Sequence, residues 1–459
     1  MIMEVVSIIA NPPTTWEVTT LGKVCEEGGG DIQTGPFGSQ LHASDYVNDG
    51  IPSVMPVNIG DSRILTDGIC RITEADAQRL SRYRLRAGDI VYSRRGDVER
   101  LALVRDKEDG WLCGTGCLRA RFGKNKVNPL YASYYLGHPS VRQWVVQHAI
   151  GATMPNLNTG ILSALPFLCP PLPVQHRIAD ILGSLDDKIE LNRRTNETLE
   201  AMARALFKSW FVDFDPVVAK SEGRKPEGMD ADTANLFPSS FEDSEIGRVP
   251  RGWIAERLTN LTTPTKGTSY TSDELHESTT ALVTLKSFKR GGGYRHDGLK
   301  PYTGRYKPEQ VVTPGEVVMA CTDVTQAAEV VGRPAIVEAD PLFQTLVASL
   351  DTVIIRPSRK AIPKSFIFCL LKTDDFQNHT YAHCTGTTVL HLSKEALPSF
   401  RLPLPSDQVL DAFARLAAPL FARMAVNNTE VCSIGSLRDA LLPRLLSGDL
   451  RNDIEGEYV

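Results

Sequence analysis

The sequence predicts an α+β protein in which two tandem-repeated α/β globules are separated by long helices that pair as an antiparallel coiled coil. Three observations lead to this fold class. The chain has 459 residues, which is too long for one small domain. Short patterns from its first half return in the same order in its second half. Each copy is followed by a long stretch with the apolar period of an amphipathic helix.

The composition is that of a globular protein that folds without disulfides. Hydrophobic residues make up 42% and charged residues 23% of the chain. The nine cysteines are scattered without a Cys-x-x-Cys pair, which argues against a disulfide framework and a structural zinc site. No apolar run approaches the roughly 20 residues of a membrane helix, and Glu4 stands where a signal peptide would be basic. We therefore expect a cytoplasmic protein.

The internal repeat is visible as four matched segments. Trp16-Glu-Val-Thr-Thr-Leu21 corresponds to Trp253-Ile-Ala-Glu-Arg-Leu258, and Gly88-Asp-Ile-Val-Tyr92 to Gly315-Glu-Val-Val-Met319. Later, Gly151-Ala-Thr153 matches Gly386-Thr-Thr388, and Leu165-Pro166 with Pro171-Leu-Pro173 matches Leu397-Pro398 with Pro403-Leu-Pro405. The conserved order of the matches predicts two copies of one fold.

Each copy is expected to contain strands followed by a helix. The strand candidates are 51–59, 89–93, 100–105 and 111–122 before a helix at 130–149, then 280–288, 315–320, 333–338 and 345–356 before a helix at 364–378. The resulting domain prediction is a first globule at 14–172, a central helical spacer at 173–214, a connector without sustained period at 215–250, a second globule at 251–404, and a C-terminal helical spacer at 405–451.

The two spacers carry narrow apolar seams. The seam residues of the first include Ile178, Leu185, Asn192, Leu199 and Trp210, and those of the second include Leu420, Met424 and Asn427. A narrow stripe with a central Asn is typical of a coiled coil in which the Asn fixes the register; the alternative is a helix buried on its own domain. The first helix, of some 40 residues, would span roughly 60 Å. Pro419 predicts a break in the second helix, and Pro443 with Gly448 its end.

Two basic runs indicate a polyanionic partner despite a net charge of −5. The first comprises Arg79, Arg82, Arg84, Arg86, Arg94, Arg95, Arg100 and Arg105, and the second Lys286, Lys289, Arg290, Arg295, Lys300, Arg305 and Lys307. The second is interleaved with Phe288, Tyr294, Tyr302, Tyr306 and a flexible triple glycine at 291–293. One such run alone would be interpreted as a solvated loop. Two runs in matching places favour contact with nucleic acid.

Several catalytic motifs are absent or incomplete. The sequence has no Gly-x-x-x-x-Gly-Lys-Ser/Thr loop, which argues against an ATP-driven motor within the chain. Asn11-Pro-Pro-Thr14 resembles an adenine methyltransferase motif but lacks the aromatic ring that stacks on the flipped base. His379 and His383 have the spacing of two metal ligands without the accompanying Glu, and Cys113 and Cys117 lack a second pair. We expect no metal site.

The whole chain resembles the DNA-specificity subunit of a type I restriction-modification system. The segments that carry the resemblance are Thr34-Gly-Pro-Phe-Gly-Ser39, Pro-Pro-Leu-Pro-Val-Gln175, Lys188-Ile-Glu-Leu-Asn192, Phe207-Lys-Ser-Trp-Phe-Val-Asp-Phe-Asp215, Phe241-Glu-Asp-Ser-Glu-Ile-Gly247 with Gly252-Trp253, and Leu441-Leu-Pro-Arg-Leu-Leu-Ser-Gly448. The chain departs from the pattern at Pro419, and its second globule has no obvious copy of the Gly-Pro-Phe-Gly loop.

The resemblance implies a non-catalytic subunit whose two target-recognition domains each read one half of a split double-stranded DNA site through the major groove. It also implies two modification subunits that bind S-adenosylmethionine and dock on the helices, and restriction subunits that use ATP and Mg. This chain itself would hold no cofactor. Two alternatives are a stand-alone nuclease or methyltransferase, which the missing motifs disfavour, and a helical protein-binding adaptor, which leaves the basic runs unexplained.

The candidate site residues follow from the chemistry of base and phosphate contact, which uses Arg, Lys, Asn and Gln side chains. For DNA binding they are Gln33, Gly35, Ser39, Gln40, Arg94, Arg95, Lys286, Lys289, Arg290 and Arg295, and for subunit docking the eight seam residues of the two spacers. The competing roles are a structural turn over 33–40 and surface ion pairs for the arginines.

Overall fold

The computed structural model describes residue 9 and residues 12–60, 62–151, 153–325 and 328–448. The tetrapeptide that begins at Asn11 and the end of the spacer predicted over 405–451 therefore lie partly outside the described residues. The chain divides into two compact units, which are Met1–Lys188 together with Ile434–Val459, and Ile189–Ser433.

The described part of the first unit contains short strands and five short α-helices. The strands are β1 Glu17–Thr20, β2 Asp31–Thr34, β3 Tyr46–Val47, β4 Ile51–Val54, β5 Cys70–Ile72, β6 Ile90–Ser93, β7 Leu101–Leu103, β8 Leu112–Cys113, β9 Cys117–Arg121 and β10 Pro166–Cys169, and the helices are α1 Leu21–Glu27, α2 Glu74–Arg79, α3 Pro129–Gly137, α4 Pro139–His148 and α5 Thr159–Ala164. The strands form two four-stranded sheets, β2-β9-β6-β7 and β3-β5-β4-β8, and the pair β1-β10.

The core of this unit lies between the β6–β9 sheet and the helices. Tyr131 and Tyr135 of α3 are fully buried, and their hydroxyls donate to the backbone oxygens of Leu168 (2.8 Å) and Pro166 (2.9 Å). Because these bonds satisfy the only polar atoms of two large rings, the rings can fill the core at no polar cost.

A long helix follows, α6 Leu172–Phe211. Its first turns belong to the first unit, where Ile178 and Leu182 are buried in the core. The second unit then contains α7 Asp215–Ser221, α8 Ala231–Asn235, β11 Phe241–Ser244, β12 Gly247–Pro250, β13 Ile254–Arg257, α9 Leu258–Leu261, β14 Thr262–Lys266, β15 Thr280–Val283, β16 Lys300–Pro301, β17 Val311–Val312, β18 Val317–Ala320, β19 Thr322–Asp323, β20 Pro334–Ile336, β21 Thr345–Ala348, β22 Thr352–Pro357, α10 Lys364–Leu371, α11 Asp374–Ala382, β23 Cys384–Thr385, β24 Leu390–Leu392, α12 Ala396–Ser399 and β25 Arg401–Leu404, and a second long helix, α13 Asp407–Ser447, follows.

The two units repeat one topology, which confirms the predicted fold class. The sheet β14-β22-β18-β20 corresponds to β2-β9-β6-β7, and the pair β13-β25 corresponds to β1-β10. In the other sheets, β4 runs parallel to β8 and antiparallel to β5, as β15 does to β21 and β16. The match of Gly88–Tyr92 with Gly315–Met319 is confirmed, since Tyr92 pairs with Leu118 and Met319 with Val353 at corresponding positions.

One of the sequence matches is displaced by three residues. The N–H of Leu21 donates to the oxygen of Leu165, and the N–H of Leu258 donates to that of Phe400. Leu165 therefore corresponds to Phe400 and not to Leu397, and the match between the two Pro-Leu-Pro segments is wrong by the same amount. The recurring prolines mark the approach to each long helix without occupying equivalent positions.

The connector predicted over 215–250 contains ordered elements that its sequence pattern did not indicate. Val217 of α7 and Phe237 are buried, and the Phe237 ring packs edge-on against Trp210 at 5.1 Å. Lys220 donates to the oxygen of Ala234 (2.9 Å) and to that of Phe237, which ties α7 to the segment after α8. The segment is thus part of the core of the second unit.

The two long helices pair through polar as well as apolar contacts, and the sequence numbers of the partners run in opposite directions. In the second unit Asn192 donates to Glu430 (2.7 Å), and Asn427 donates to Asn196 (2.7 Å). In the first unit Arg438 donates to Asp186 (2.8 Å). The pairing is antiparallel, as predicted, and the two seam asparagines bond to partners other than each other.

The helix α13 is continuous through Pro419, so the break expected there is wrong. The flanking turns are fixed by burial, because Phe413 and Ala417 before the proline and Asn427 after it are fully buried. Such tertiary packing overrides the unfavourable helix propensity of proline. Pro443 also lies inside the helix, which ends at Ser447 and is followed by Gly448 with a φ of +77°.

Candidate nucleic-acid interface

In the first unit, two loops leave the central sheet at the same end. The strands β2 and β6 lie on either side of β9 and both run antiparallel to it. Thr34 of β2 and Tyr92 of β6 both pair with Leu118. The loop 35–40 after β2 and the segment 94–97 after β6 therefore begin side by side.

The loop 35–40 is a fixed turn. The N–H of Gly35 donates to the oxygen of Cys117 (2.9 Å), and a Cβ at Gly35 would lie 2.1 Å from the oxygen of Gly114, so only glycine fits. The side-chain oxygen of Gln40 accepts from the N–H of Phe37 (3.1 Å) and the hydroxyl of Tyr83 (2.9 Å). Gln40 thus has the structural role left open by the sequence, while Ser39 and Phe37 are exposed.

Gln33 also takes part in an internal network. Its side-chain oxygen accepts from Arg119 (3.1 Å), which is buried and forms an ion pair with Asp31. A second ion pair joins Arg121 of the same strand to the buried Asp89 (2.6 Å). These two arginines neutralise acids of the sheet and are structural.

Arg94 and Arg95 are the two members of the first basic run that directly follow β6. The Arg94 guanidinium lies 5.9 Å from the ring centre of Phe37, so β6 brings it to the 35–40 loop. Within the described ranges, neither arginine makes an ion pair, and the buried Nε of Arg94 has no hydrogen-bond partner. By contrast Arg79, Arg84 and Arg100 pair with Asp76, Glu74 and Asp97.

A third segment completes this surface. Leu157 donates to the oxygen of Arg94 (2.8 Å), and Asn156 forms bridges with both Arg95 and Ile150. We call the exposed residues Phe37, Ser39, Arg95, Ile150 and Met154, together with the half-buried Arg94, the first strand-end surface. It combines two cations with apolar side chains on loops held by the central sheet.

The second unit has an equivalent surface. It includes a structural counterpart of the 35–40 loop, although its sequence has no obvious copy of Gly-Pro-Phe-Gly. Lys266 and Met319 both pair with Val353, as Thr34 and Tyr92 pair with Leu118. A Cβ at Gly267 would lie 2.1 Å from the oxygen of Ser349, which is the same constraint as at Gly35. The segment Gly267-Thr-Ser-Tyr270 is therefore the missing copy, and its glycine is the only sequence signal for it.

Different side chains occupy this second strand-end surface, which we define as Lys266, Tyr270, Lys300, Arg305, Tyr306 and Lys307. Lys300 lies 3.3 Å from the Tyr270 hydroxyl and 5.2 Å from its ring centre. Thr268 donates to the oxygen of Arg305 (3.4 Å), which joins the 305–307 segment to the loop. At the positions that correspond to Arg94 and Arg95, this unit has Cys321 and Thr322.

The two basic runs do not lie in matching places, contrary to the sequence interpretation. Lys286, Lys289, Arg290 and Arg295 follow β15, the equivalent of β4, whereas the first run surrounds β6. Arg290 pairs with Glu329 (3.2 Å) and Arg295 with Asp297 (2.5 Å), while Lys286 and Lys289 are exposed. Only the later part of the run, from Lys300 on, reaches the strand-end surface.

The aromatic side chains of that run are mostly in the core. Phe288, Tyr294 and Tyr302 are buried, and Tyr306 is exposed. In this run the aromatic residues therefore mostly face the core, and the cationic residues face the surface. The three glycines at 291–293 have φ between +76° and +109° and form a turn in which Lys289 donates to Gly293 (2.9 Å).

His296 joins this turn to α13 within the second unit. Its ring nitrogens contact Asp340 (3.0 Å) and Glu338 (2.8 Å), and the Cys432 thiol lies 3.7 Å from Nε2. The hydrogen bond with Cys432, together with that to Glu338, raises the pKa of His296 to about 10. At neutral pH the ring is a cation that donates to both carboxylates.

One acid at the second strand-end, Asp323, accepts hydrogen bonds from within the chain. Burial by itself would raise the pKa of Asp323, but hydrogen bonds from Thr325, Val330 and Val331 lower it below its usual value. The carboxylate holds the following loop in place. It is 1% exposed and therefore does not face a polyanion directly.

The seam residues predicted for subunit docking are covered by the chain itself. Ile178, Asn192, Trp210 and Asn427 are buried, and Leu185, Leu199, Leu420 and Met424 are half-buried. The large apolar side chains that the two helices expose are Leu191, Met202, Leu416, Val426 and Leu437. The seam therefore stabilises the helix pair, and these other residues are the ones available to a partner.

The described part of the chain contains no group of three or more His, Cys, Asp or Glu residues arranged to hold a metal. Burial raises the pKa of Cys113 to about 12 and that of Cys117 well above its usual value, so both remain thiols. His379 instead contacts the oxygen of Ala396 at 2.8 Å. Among the helices described, none is long and apolar enough to cross a bilayer.

Comparison with known proteins shows which family the chain resembles. Residues 13–201 match the model of the type I restriction modification DNA specificity domain. The chain is 24% identical over 452 residues to the type I restriction enzyme HindI specificity subunit of Haemophilus influenzae, covering 87% of this chain and 95% of that protein. Over most of its length, the chain is therefore similar to specificity subunits of type I restriction enzymes. The MjaIX specificity subunit of Methanocaldococcus jannaschii is 23% identical over 453 residues, covering 96% of this chain and 95% of that subunit.

The fold of this chain has also been seen in a crystal structure. The S subunit of a type I restriction-modification system from M. genitalium aligns with 95% of this chain and 97% of its own, at a TM-score of 0.51 and 15% identity. The likeness extends over both units, in agreement with the repeated topology described above.

Proposed function

We propose that this chain binds double-stranded DNA at a bipartite site and that each of its two globules reads one half. The observation that supports this is the repetition of one strand-end surface with different side chains. Phe37, Arg94 and Arg95 occupy the first, and Lys266, Tyr270 and Lys300 the second. The two surfaces occupy equivalent positions in the fold but present different side chains, which suits two half-sites of different sequence.

The chemistry of both surfaces fits the recognition of a duplex. Arginine donates two parallel bonds to the edge of guanine or to a phosphate, and lysine acts as a point charge toward phosphate. Arg94 and Arg95 are available for such bonds because, in the described residues, no acid pairs with them. Lys286, Lys289, Arg290 and Arg295 remain candidates for flanking phosphates, at a different position in the fold.

We further propose that catalysis resides in partner subunits. Two methyltransferase subunits would bind S-adenosylmethionine and dock on exposed faces of the helices, where Leu191, Met202, Leu416 and Val426 lie. Restriction subunits would supply the ATP- and Mg-dependent steps. This chain would then be a non-catalytic component that positions them. The adaptor alternative shares the helical docking but lacks DNA specificity.

Selection from random duplexes tests the proposal. The full chain, co-expressed with its methyltransferase subunits, would be used to enrich 40-base-pair duplexes at several salt concentrations. We expect the enriched duplexes to share two defined blocks separated by a fixed number of unspecified positions, with affinity that falls as salt rises. A single continuous block would contradict the two-globule assignment, and the absence of salt-dependent binding would favour the adaptor.

A further inference from the structure

The tip of the loop 35–40 holds a phenylalanine out of the core. The Phe37 side chain is 54% exposed, although its neighbours Gly35 and Pro36 are buried. The oxygen of Phe37 accepts from the N–H groups of Gln40 (2.8 Å) and Leu41 (3.3 Å), and its own N–H donates to the Gln40 side chain (3.1 Å). The backbone of this residue is therefore fixed on both sides.

The turn is also anchored from a second segment. Gln40 accepts from the Tyr83 hydroxyl at its side chain (2.9 Å) and from Arg79 at its backbone oxygen (2.9 Å). Because the turn is already ordered in the folded chain, binding a ligand does not have to order it. The Phe37 side chain therefore loses little further conformational freedom on contact.

The surroundings of Phe37 indicate what it contacts. Isolated exposed apolar residues are ordinary, but Phe37 belongs to a surface in which Ile150 is 63% and Met154 64% exposed. The segment that carries them is bonded to Arg94 and Arg95, and Arg94 lies beside the Phe37 ring. Within the described ranges, the two cations beside these exposed apolar side chains have no ion pair. This combination suits duplex DNA, which has charged phosphates outside and stacked bases inside.

We propose that Phe37 is a wedge that enters the DNA between adjacent bases of one half-site and stacks on an exposed base, while Arg94 and Arg95 hold the flanking phosphates. This inference rests on the proposed function and adds a distortion of the DNA. A locally unstacked step lowers the cost of extruding a neighbouring base, which a methyltransferase partner must do before it can act on that base.

The wedge belongs to one globule only. At the equivalent loop of the second unit, Ser269 is exposed and the Tyr270 ring is half-buried beneath Lys300. That loop offers hydroxyl and ammonium groups in place of an apolar tip. The unstacked base should therefore appear in one half-site and not in the other.

The test uses the full chain with its methyltransferase subunits and duplexes that carry the enriched split motif, with 2-aminopurine at each purine of the motif in turn. Unstacking raises 2-aminopurine fluorescence. We expect the wild type to raise it severalfold at one position, Phe37→Ala to abolish the rise and weaken specific binding about tenfold, and Phe37→Leu to keep most of it. Val146→Ala, which removes an exposed apolar side chain elsewhere in the same globule, should match the wild type.

Three results would overturn the wedge, and each is distinct. Phe37→Ala with unchanged fluorescence and affinity would show that the ring does not enter the duplex. Phe37→Ala with normal DNA binding but loss of the methyltransferase subunits would assign the surface to a protein partner. A wild-type complex with no preference for the split duplex over a scrambled one would overturn the proposed function and the wedge together.

Discussion

At the residue scale, Arg94 and Arg95 differ from the ion-paired arginines of their run in what surrounds them. Arg79, Arg84 and Arg100 each pair with an acid of the same globule, whereas Arg94 stacks on an exposed ring. The sequence shows eight arginines in one run and gives no sign of which are paired, because the partners are set by the turn geometry around each.

Replacing Arg94 and Arg95 together by alanine should weaken DNA binding on the order of tenfold or more without unfolding the chain. Each lost phosphate contact lowers the slope of log affinity against log salt by about one. Binding titrations at three salt concentrations measure both quantities. Arg100→Ala, which removes an arginine already paired with Asp97, serves as the control. Unchanged binding of the double variant would remove both residues from the site.

The His296 cation should make the second unit less stable at high pH. Because its pKa in the folded chain, about 10, lies above the usual 6.5, its contribution is complete below about pH 6.5 and is lost as pH rises through 10. His296→Gln should cost roughly 1.5–3 kcal/mol at pH 7 and much less at pH 10.5. Urea unfolding at both pH values measures this, with His391→Gln as an exposed control. An equal cost at both pH values would contradict the cationic assignment.

At the element scale, the long helix α6 is both a partner of α13 and part of the core of the second unit. The Phe207 ring lies 5.2 Å from Phe366 and 5.8 Å from Phe413, and its side chain is 2% exposed. The two interpretations of the sequence, a coiled coil and a helix buried on its own domain, therefore both apply. One apolar stripe serves both contacts, so the pattern could not separate them.

Phe207→Ala should destabilise the second unit by about 3–5 kcal/mol, because it removes a large buried ring and leaves a cavity. Met202→Ala lies on the exposed side of the same helix and should change stability by no more than about 0.5 kcal/mol. Urea unfolding followed by far-UV circular dichroism compares the two variants. Similar costs would mean that α6 is not anchored in this core.

Pro419→Ala should stabilise the chain. The proline is exposed within a continuous helix, where it removes one backbone hydrogen bond. Alanine restores the donor and is more favourable in a helix by up to about 3 kcal/mol, so a gain of about 1–3 kcal/mol is expected. Thermal and urea unfolding provide the measurement. A loss of stability would indicate a kink that the neighbouring packing requires.

At the scale of the whole molecule, the sequence predicts the duplicated fold but not the register between its copies. Gly88 and Gly315 lie two residues before equivalent strands and have φ of +91° and +82°, and this constraint is visible as a shared residue. Proline-rich approaches to the long helices impose no such constraint, so Pro171 and Pro403 matched at a displacement of three residues. The two copies therefore share a sequence pattern at positions where the backbone conformation requires a particular residue.

The candidate site could be predicted from the sequence only where the backbone requires a glycine. The loop after β2 could be found from Gly35 and Gly38, while its copy shares only the clamped glycine, Gly267, with it. The basic run after β15 predicts contact with nucleic acid from its composition, but composition does not reveal that Phe288 and Tyr294 are buried in the core. The second strand-end surface became evident only from strand registers.

The central claim is that two equivalent surfaces of this chain read two halves of one DNA site. Single-molecule methylome sequencing of the host with and without this gene tests it most directly. We predict that deletion removes N6-methyladenine from one two-part motif with an unspecified middle, and that Lys266→Ala with Lys300→Ala alters one half of that motif and Arg94→Ala with Arg95→Ala the other. If no split motif disappears although the methyltransferase partner is expressed and active, the claim is contradicted.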